Sequence, residues 1–227
     1  MRTKLLPDYR LGCKRILISD TYLPALDQPN VALVTDGIRE IDEHGIVDVT
    51  GKHHRVDAII FGTGFQTSHL PLTDRIHGAE GPTMSQAWDG NPTAYLGTSV
   101  AGFPNCYLIH GPNIGLGHTS VIHMFESQAN YIAAAIGYAR AHDVASVEPT
   151  PAAQEAFTAE VDRLSAGSVW TAGGCKSWYL NDDGRNVNLW PGTTFDYRRR
   201  TLQFDPAQHL LHRRPAPVPV APRAPAP

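Results

Sequence analysis

The sequence predicts an α/β fold with a small antiparallel meander, and three features point to it. An apolar run, Asp57-Ala58-Ile59-Ile60-Phe61, ends in Gly62-Thr63-Gly64-Phe65. Without polar alternation it reads as a central strand buried on both faces, running into a turn where backbone approaches something closely. A second strand-like piece, Cys106-Tyr107-Leu108-Ile109, enters a glycine-rich turn and then a long helical pattern. A third segment opens with Thr150-Pro151, a capping residue followed by proline at the first helical position.

Residues 1–30 are irregular apart from an apolar burst at Ile16-Leu17-Ile18. Short strands are expected at Val31–Val34, around Ile38 and Ile41, and at Ile46–Val49, with Gly45 and Gly51 between them. Residues 66–105 are rich in Gly, Pro and Thr and read as a long excursion of turns. Thr119 or Ser120 can cap the long helix, in which Val121, Phe125, Ile132 and Ile136 follow at helical spacing. Phe157, Val161 and Leu164 form the stripe of the next helix. Residues 167–205 form a loop-rich cover, and the Pro-Ala repetition of the C-terminal tail, 206–227, is expected to be disordered.

The chain has 227 residues, 42% of them hydrophobic, which suffices for a sizeable core. A net charge of −3 offers no basis for a nucleic-acid partner, and no run of about 18 apolar residues spans a membrane. The three cysteines, Cys13, Cys106 and Cys175, are far apart, which predicts reduced thiols and a cytoplasmic protein. The pair His53-His54 reads as a solvated loop, and no metal-ligand pattern is present.

Three constellations can carry chemistry. The turn Gly111-Pro112-Asn113-Ile114-Gly115-Leu116-Gly117-His118 leads into a helix N-terminus, whose free N–H groups and dipole favour an anion. The glycines would let a ligand reach those donors; the bland alternative is a helix capped by its own Thr or Ser. Lys14-Arg15 precedes an apolar strand and can present one cation to each side, or simply be solvated. Trp178, beside glycines and Tyr179, can line a pocket mouth; Trp190 can as well cover the core edge.

Taken together, the blocks Asp8-Tyr9 to Gly12-Cys13-Lys14-Arg15, Phe61 to Phe65, Gly102-Phe103-Pro104-Asn105, Gly111 to His118 and Ser177-Trp178-Tyr179 resemble the C-terminal part of class B flavoprotein monooxygenases. The likeness is to the Baeyer–Villiger and flavin-containing monooxygenase family, in its hydroxyacetophenone monooxygenase-like branch, over about residues 5–205. It implies the C-terminal half of an FAD domain within a two-dinucleotide-binding-domain fold. Residues 1–22 would end an NADP-domain-like segment and 23–205 would belong to the FAD domain. The cofactors implied are FAD and NADPH, and the reaction is insertion of one oxygen atom of O₂ into a ketone, amine or sulfide. By resemblance, Lys14 contacts the NADPH 2′-phosphate, and Arg15 stabilises the flavin peroxide and is the catalytic residue. Gly62, Thr63, Gly64, Gly111, Pro112, Asn113, Gly115, Gly117 and His118 flank the flavin, and Trp178 stands on the NADP and substrate side.

The sequence lacks both Gly-x-Gly-x-x-Gly fingerprints and the Phe-x-Gly-x-x-x-His motif of the family. It is therefore expected to start where the last two-fifths of such an enzyme would start, through a truncated gene, a split enzyme or a misplaced start, and to be inactive alone. Two alternatives remain: a remnant or interaction subunit that needs a partner half, and another pyridine-nucleotide flavin oxidoreductase.

Overall fold

A computed structural model describes residues 2–64 and 70–213. The elements are α1 (Arg2–Leu5), α2 (Tyr22–Leu26), β1 (Ile38–Asp42), β2 (Gly45–Asp48), β3 (His53–Arg55), a 3₁₀ turn (Pro71–Arg75) and α3 (Met84–Trp88). There follow α4 (Val121–Ala141), β4 (Val144–Pro149), α5 (Pro151–Ser165), α6 (Val169–Ala172), α7 (Thr194–Thr201), a second 3₁₀ turn (Pro206–Gln208) and β5 (His209–Arg213). The α/β reading and the antiparallel meander both hold: β1, β2 and β3 form one antiparallel sheet, and β4 and β5 another.

The meander is fixed by Asp48. Its buried carboxylate accepts from the Thr50 hydroxyl at 2.6 Å, from the N–H groups of Thr50 and Lys52 at 2.9 and 3.0 Å, and contacts His54 Nε2 at 2.8 Å. The hydroxyl of Thr50 and then His54 hold the Asp48 carboxyl well below the usual carboxylate range. His53 and His54 are thus strand residues of β3, paired with Asp42 and Asp48, and not a solvated loop. Gly45 sits at φ +146 where a Cβ would run into the carbonyl of His54, so β2 can begin there only with glycine.

The long helix starts where the sequence places it, but it turns a different face inward. Met124, Ser127, Gln128, Tyr131 and Ala135 are buried, whereas Val121, Phe125 and Ile132 are half-buried and Ile136 is exposed. Gln128 explains the choice. Its fully buried amide accepts from His110 N–H at 3.0 Å and donates to the carbonyls of Gly97 and Leu108 at 2.9 and 3.2 Å, and to Thr98 Oγ1 at 3.0 Å. Around it lies the main core: Leu96, Ile114, Leu116, Met124, Tyr131, Phe157, Val161, Trp190 and Tyr197. The Trp190 ring stacks on Phe157 and meets Tyr197 edge-on, and its Nε1–H donates to Thr193 O at 2.9 Å, so Trp190 is core. α5 follows its reading: Thr150 accepts from Ala153 N–H, and Phe157 and Val161 are buried.

Residues 70–105 are more ordered than their composition suggests. A capping box between Thr83 and Gln86 starts α3, and Met84, Ala94, Val100 and Phe103 form a second core cluster.

Four expectations are corrected. Val31–Val34 is not a strand, and both valines are exposed. Residues 58–64 run without regular pairing, and Ile60 is 96% and Phe61 68% exposed, the reverse of a central strand. A strand buried on both faces needs neighbours on both sides, and the described residues supply none there. Cys106–Ile109 makes only an isolated bridge, through Tyr107 to Ser99. In the 206–227 tail, residues 206–213 are ordered: β5 pairs with β4, and His209 is buried, with Nδ1–H donating to Asp205 O and Nε2 facing the Tyr131 hydroxyl at 3.2 Å. Residues 214–227 lie outside the described residues, as does Phe65.

Replacing Gln128 by Met keeps the volume but orphans one N–H and two carbonyls. At about 1–3 kcal/mol for each buried unsatisfied group, the variant is expected to lose at least about 3 kcal/mol in urea unfolding. A second expectation concerns acid. Because the folded Asp48 carboxyl titrates below its unfolded value, its contribution is present above about pH 4 and fades as the pH falls further. The urea midpoint of Asp48→Asn should lie below that of the unmodified chain at pH 7, and the gap should narrow toward pH 3.

Candidate functional site

The glycine-rich turn before α4 is held from below by asparagines. Asn113, buried at φ +61, donates from Nδ2 to Asn186 O at 2.8 Å, and its N–H donates to Val187 O. Gly115 N–H donates to Asn188 O and Trp190 N–H to Gly115 O, both at 2.8 Å, so the turn runs parallel to 186–190 as an extra edge. Asn186 is itself fixed, donating to Ser165 Oγ and Leu189 O and accepting from Leu189 N–H.

This packing gives the glycines a reason internal to the chain. A Cβ on Gly111 would strike Gly97 O, one on Gly115 would strike the Asn188 side chain, and one on Gly117 would lie 2.8 Å from the Trp170 ring. Pro112 is buried in the same turn. Above that seam the turn opens: Gly117, His118, Thr119 and Ser120 are exposed, and Ser120 makes no side-chain cap to α4. His118 Nδ1 lies 3.1 Å from Thr119 Oγ1. The start of a 21-residue helix thus faces outward without a side-chain cap, an arrangement suited to an anionic group.

Arg15 arrives at this turn from 101 residues away, donating from Nη2 to Leu116 O at 3.4 Å. Lys14, beside it and exposed, places its ammonium 4.9 Å from the Tyr9 ring centroid. The segment that carries both is tied down through Cys13, which is bonded to Cys175 in a disulfide with Cα atoms 6.1 Å apart. This corrects the expectation of three reduced thiols: only Cys106 is free, and the cytoplasmic assignment loses its argument. Wide sequence spacing said nothing against the pair, because folding brings positions 162 residues apart together.

Trp178 lies three residues beyond Cys175; it is 46% exposed, and its ring centroid is 5.2 Å from that of Tyr179. Arg15 therefore meets the 111–118 turn at Leu116, and the disulfide joins the segment of Lys14 and Arg15 to the one that carries Trp178. No hydrogen bond among the described residues draws the Gly62-Thr63-Gly64 turn into that constellation, and a Cβ at Gly62 or Gly64 would meet nothing within 4 Å. Among the described residues no group of three His, Cys, Asp or Glu could hold a metal ion, and no helix is long and apolar enough to cross a membrane. Sequence reasoning passed over Gln128 and gave Asn186 no role, although their buried amides hold the site's backbone; their polar type disguised them.

No protein-family model matches the chain. A Baeyer-Villiger monooxygenase of Streptomyces coelicolor is 44% identical over 99% of this chain and 43% of its own length. A Baeyer-Villiger monooxygenase of Pseudomonas aeruginosa is 44% identical over 93% of this chain and 40% of its own length. Among solved structures, a closed form of cyclohexanone monooxygenase superposes with a TM-score of 0.79 at 30% identity, over 93% of this chain and 41% of that one. An oxidized steroid monooxygenase bound to NADP superposes at 0.77 and 28% identity, over 91% and 40%. The chain spans about two-fifths of the length of the relatives it matches. Sequence and fold agree with the blocks from Asp8 to Tyr179: the chain belongs, as a part, to the class B flavoprotein monooxygenases of the Baeyer–Villiger type.

Proposed function

We propose that this chain is the C-terminal portion of an FAD- and NADPH-dependent monooxygenase that inserts one oxygen atom of O₂ into a ketone, amine or sulfide. In this reading residues 1–22 close an NADP-domain-like segment, and residues 23–205 complete the FAD domain. The observation that carries it is the meeting of Arg15 with the turn that opens α4. A guanidinium, fixed in charge and geometry, stands beside an exposed and uncapped helix start. That pair fits the flavin's pyrimidine edge, which becomes anionic on reduction, and the nicotinamide side of NADPH.

The cofactors, when bound, supply the hydride and the oxygen chemistry. The chain's own residues do the rest. Arg15 places positive charge where negative charge develops, Lys14 offers an ammonium to a phosphate, and the N–H groups at the start of α4 favour the reduced flavin by roughly 0.3–2 kcal/mol. Trp178 contributes a planar, half-exposed wall. The turn 62–64, open on its outer side, would meet the flavin from a strand completed by the remaining portion of the flavoprotein.

A second reading, an interaction subunit without catalysis of its own, is favoured by the exposed apolar runs. Ile16, Leu17 and Ile18 are exposed, as are Ile60 and Phe61. Both readings require that a further polypeptide cover these runs; they differ in whether flavin is then held.

The chain alone is expected to retain no stoichiometric FAD and to oxidise no NADPH, because the pyrophosphate-binding fingerprints are absent from its sequence. Joined to the other three-fifths of a relative, it should bind flavin and consume O₂ with NADPH; a flavin-free, folded complex would instead support the subunit reading. In that assembly Lys14→Ala should raise the NADPH KM on the order of 10- to 150-fold, the equivalent of about 1.5–3 kcal/mol for one charge-assisted contact. Arg15→Ala should abolish oxygenation while the fold is kept. Gly117→Ala should lower both the melting temperature and FAD affinity. If Trp170→Leu, which relieves the clash, restores both, the glycine serves packing alone.

A further inference from the structure

We propose that Cys13 and Cys175 form a reversible dithiol–disulfide pair, oxidised to clamp the Lys14–Arg15 segment onto the Trp178 loop and reduced to release it. The clamp stands apart from the cofactor assignment; only its consequence for Lys14 and Arg15 rests on the reading above.

The placement of the two sulfurs supports reversibility. Cys13 is fully buried, whereas Cys175 is half-buried between exposed Gly174 and Lys176, so an incoming thiolate has access to one sulfur and not the other. Attack at Cys175 expels Cys13 as the leaving thiolate. Neither cysteine belongs to the two apolar core clusters, so the bond joins a peripheral segment to the body and does not staple the core.

What the bond holds is otherwise lightly held. Residues 14–20 are all exposed. Beyond the disulfide, residues 8–15 are tied to the body by Arg10 N–H to Gly173 O at 2.9 Å and by the long Arg15 bond to Leu116 O. Gly173 completes the seat: a Cβ there would lie 2.8 Å from Cys13 Sγ, so the strand of backbone at 173 can close on the disulfide only without a side chain.

The reaction balances with a dithiol reductant of the thioredoxin or dithiothreitol class. One reductant thiolate bonds to the Cys175 sulfur, the Cys13–Cys175 bond breaks, and Cys13 leaves as a thiolate that takes up a proton. The second reductant thiol then displaces Cys175, which is likewise protonated. The protein gains two electrons and two protons, and the reductant becomes a disulfide.

The test uses the full chain with Cys106→Ser, so that this pair supplies the only thiols. Purified without reductant and treated with N-ethylmaleimide under native conditions, it should take no label; after dithiothreitol it should take two without unfolding. Amide hydrogen exchange should accelerate at least 10-fold in residues 8–20 and 173–178 on reduction, with α4 and β4 unchanged. Adding Cys13→Ser should reproduce the reduced pattern; if that variant does not fold, reduction of the parent chain decides alone. Two labels without reductant, reduction only on unfolding, or exchange that rises everywhere or nowhere would each overturn the clamp. In the flavin-bearing assembly, a clamp that responds while NADPH affinity does not would overturn only the roles given to Lys14 and Arg15.

Discussion

One buried amide organises the molecule. Gln128 joins the main chain at Gly97, Leu108 and His110 to the inner face of α4, and thereby fixes where the glycine-rich turn leaves the core and where the helix begins. A hydrocarbon of the same size would fill the space but leave those backbone groups unpaired in a dry interior, where each is costly. Asn113 and Asn186 repeat the device one layer further out, converting the turn into an edge that lies along 186–190. The helix start can stay open to the outside because the turn in front of it is held from the other side.

Much of this was legible, and the misreadings share a cause. The start of α4, the Thr150 cap of α5 and the meander follow from local chemistry: capping oxygen, proline at the first turn, alternation around Asp48. The face of α4 did not follow, because apolar spacing selects Val121, Phe125, Ile132 and Ile136, while the chain buries Gln128 and Ser127 with Met124 and Tyr131. Burial of a polar side chain depends on carbonyls 20 to 31 residues away, which no window of sequence contains. The disulfide is the same problem over 162 residues. The strand at 57–61 failed differently: its composition describes an environment that the described residues of this chain do not provide.

At the candidate site, the structure gives some of the residues singled out by sequence a reason internal to the packing. Arg15 was singled out by its neighbour and by the strand expected after it; residues 16–18 form no strand and are exposed, and it is the contact with Leu116 that gives Arg15 a place at the helix start. The glycines were read as room for a ligand, and the first claim on that room comes from Gly97, Asn188 and Trp170. Close packing beneath the turn and access above it are compatible, since different faces of the same backbone are involved. Trp190 resolved to core and Trp178 to surface, a division that only burial could make.

The exposed run through Ile60 and Phe61 has a consequence for the life of the chain before any assembly forms. Apolar side chains exposed on backbone that joins no strand among the described residues invite strand addition, and no charged residue or proline between Ala58 and Phe61 interrupts them. Two free chains that meet there can pair with each other in a manner that neither symmetry nor length limits. Self-association through this run is second order in the chain's concentration, so overproduction of the chain by itself favours it.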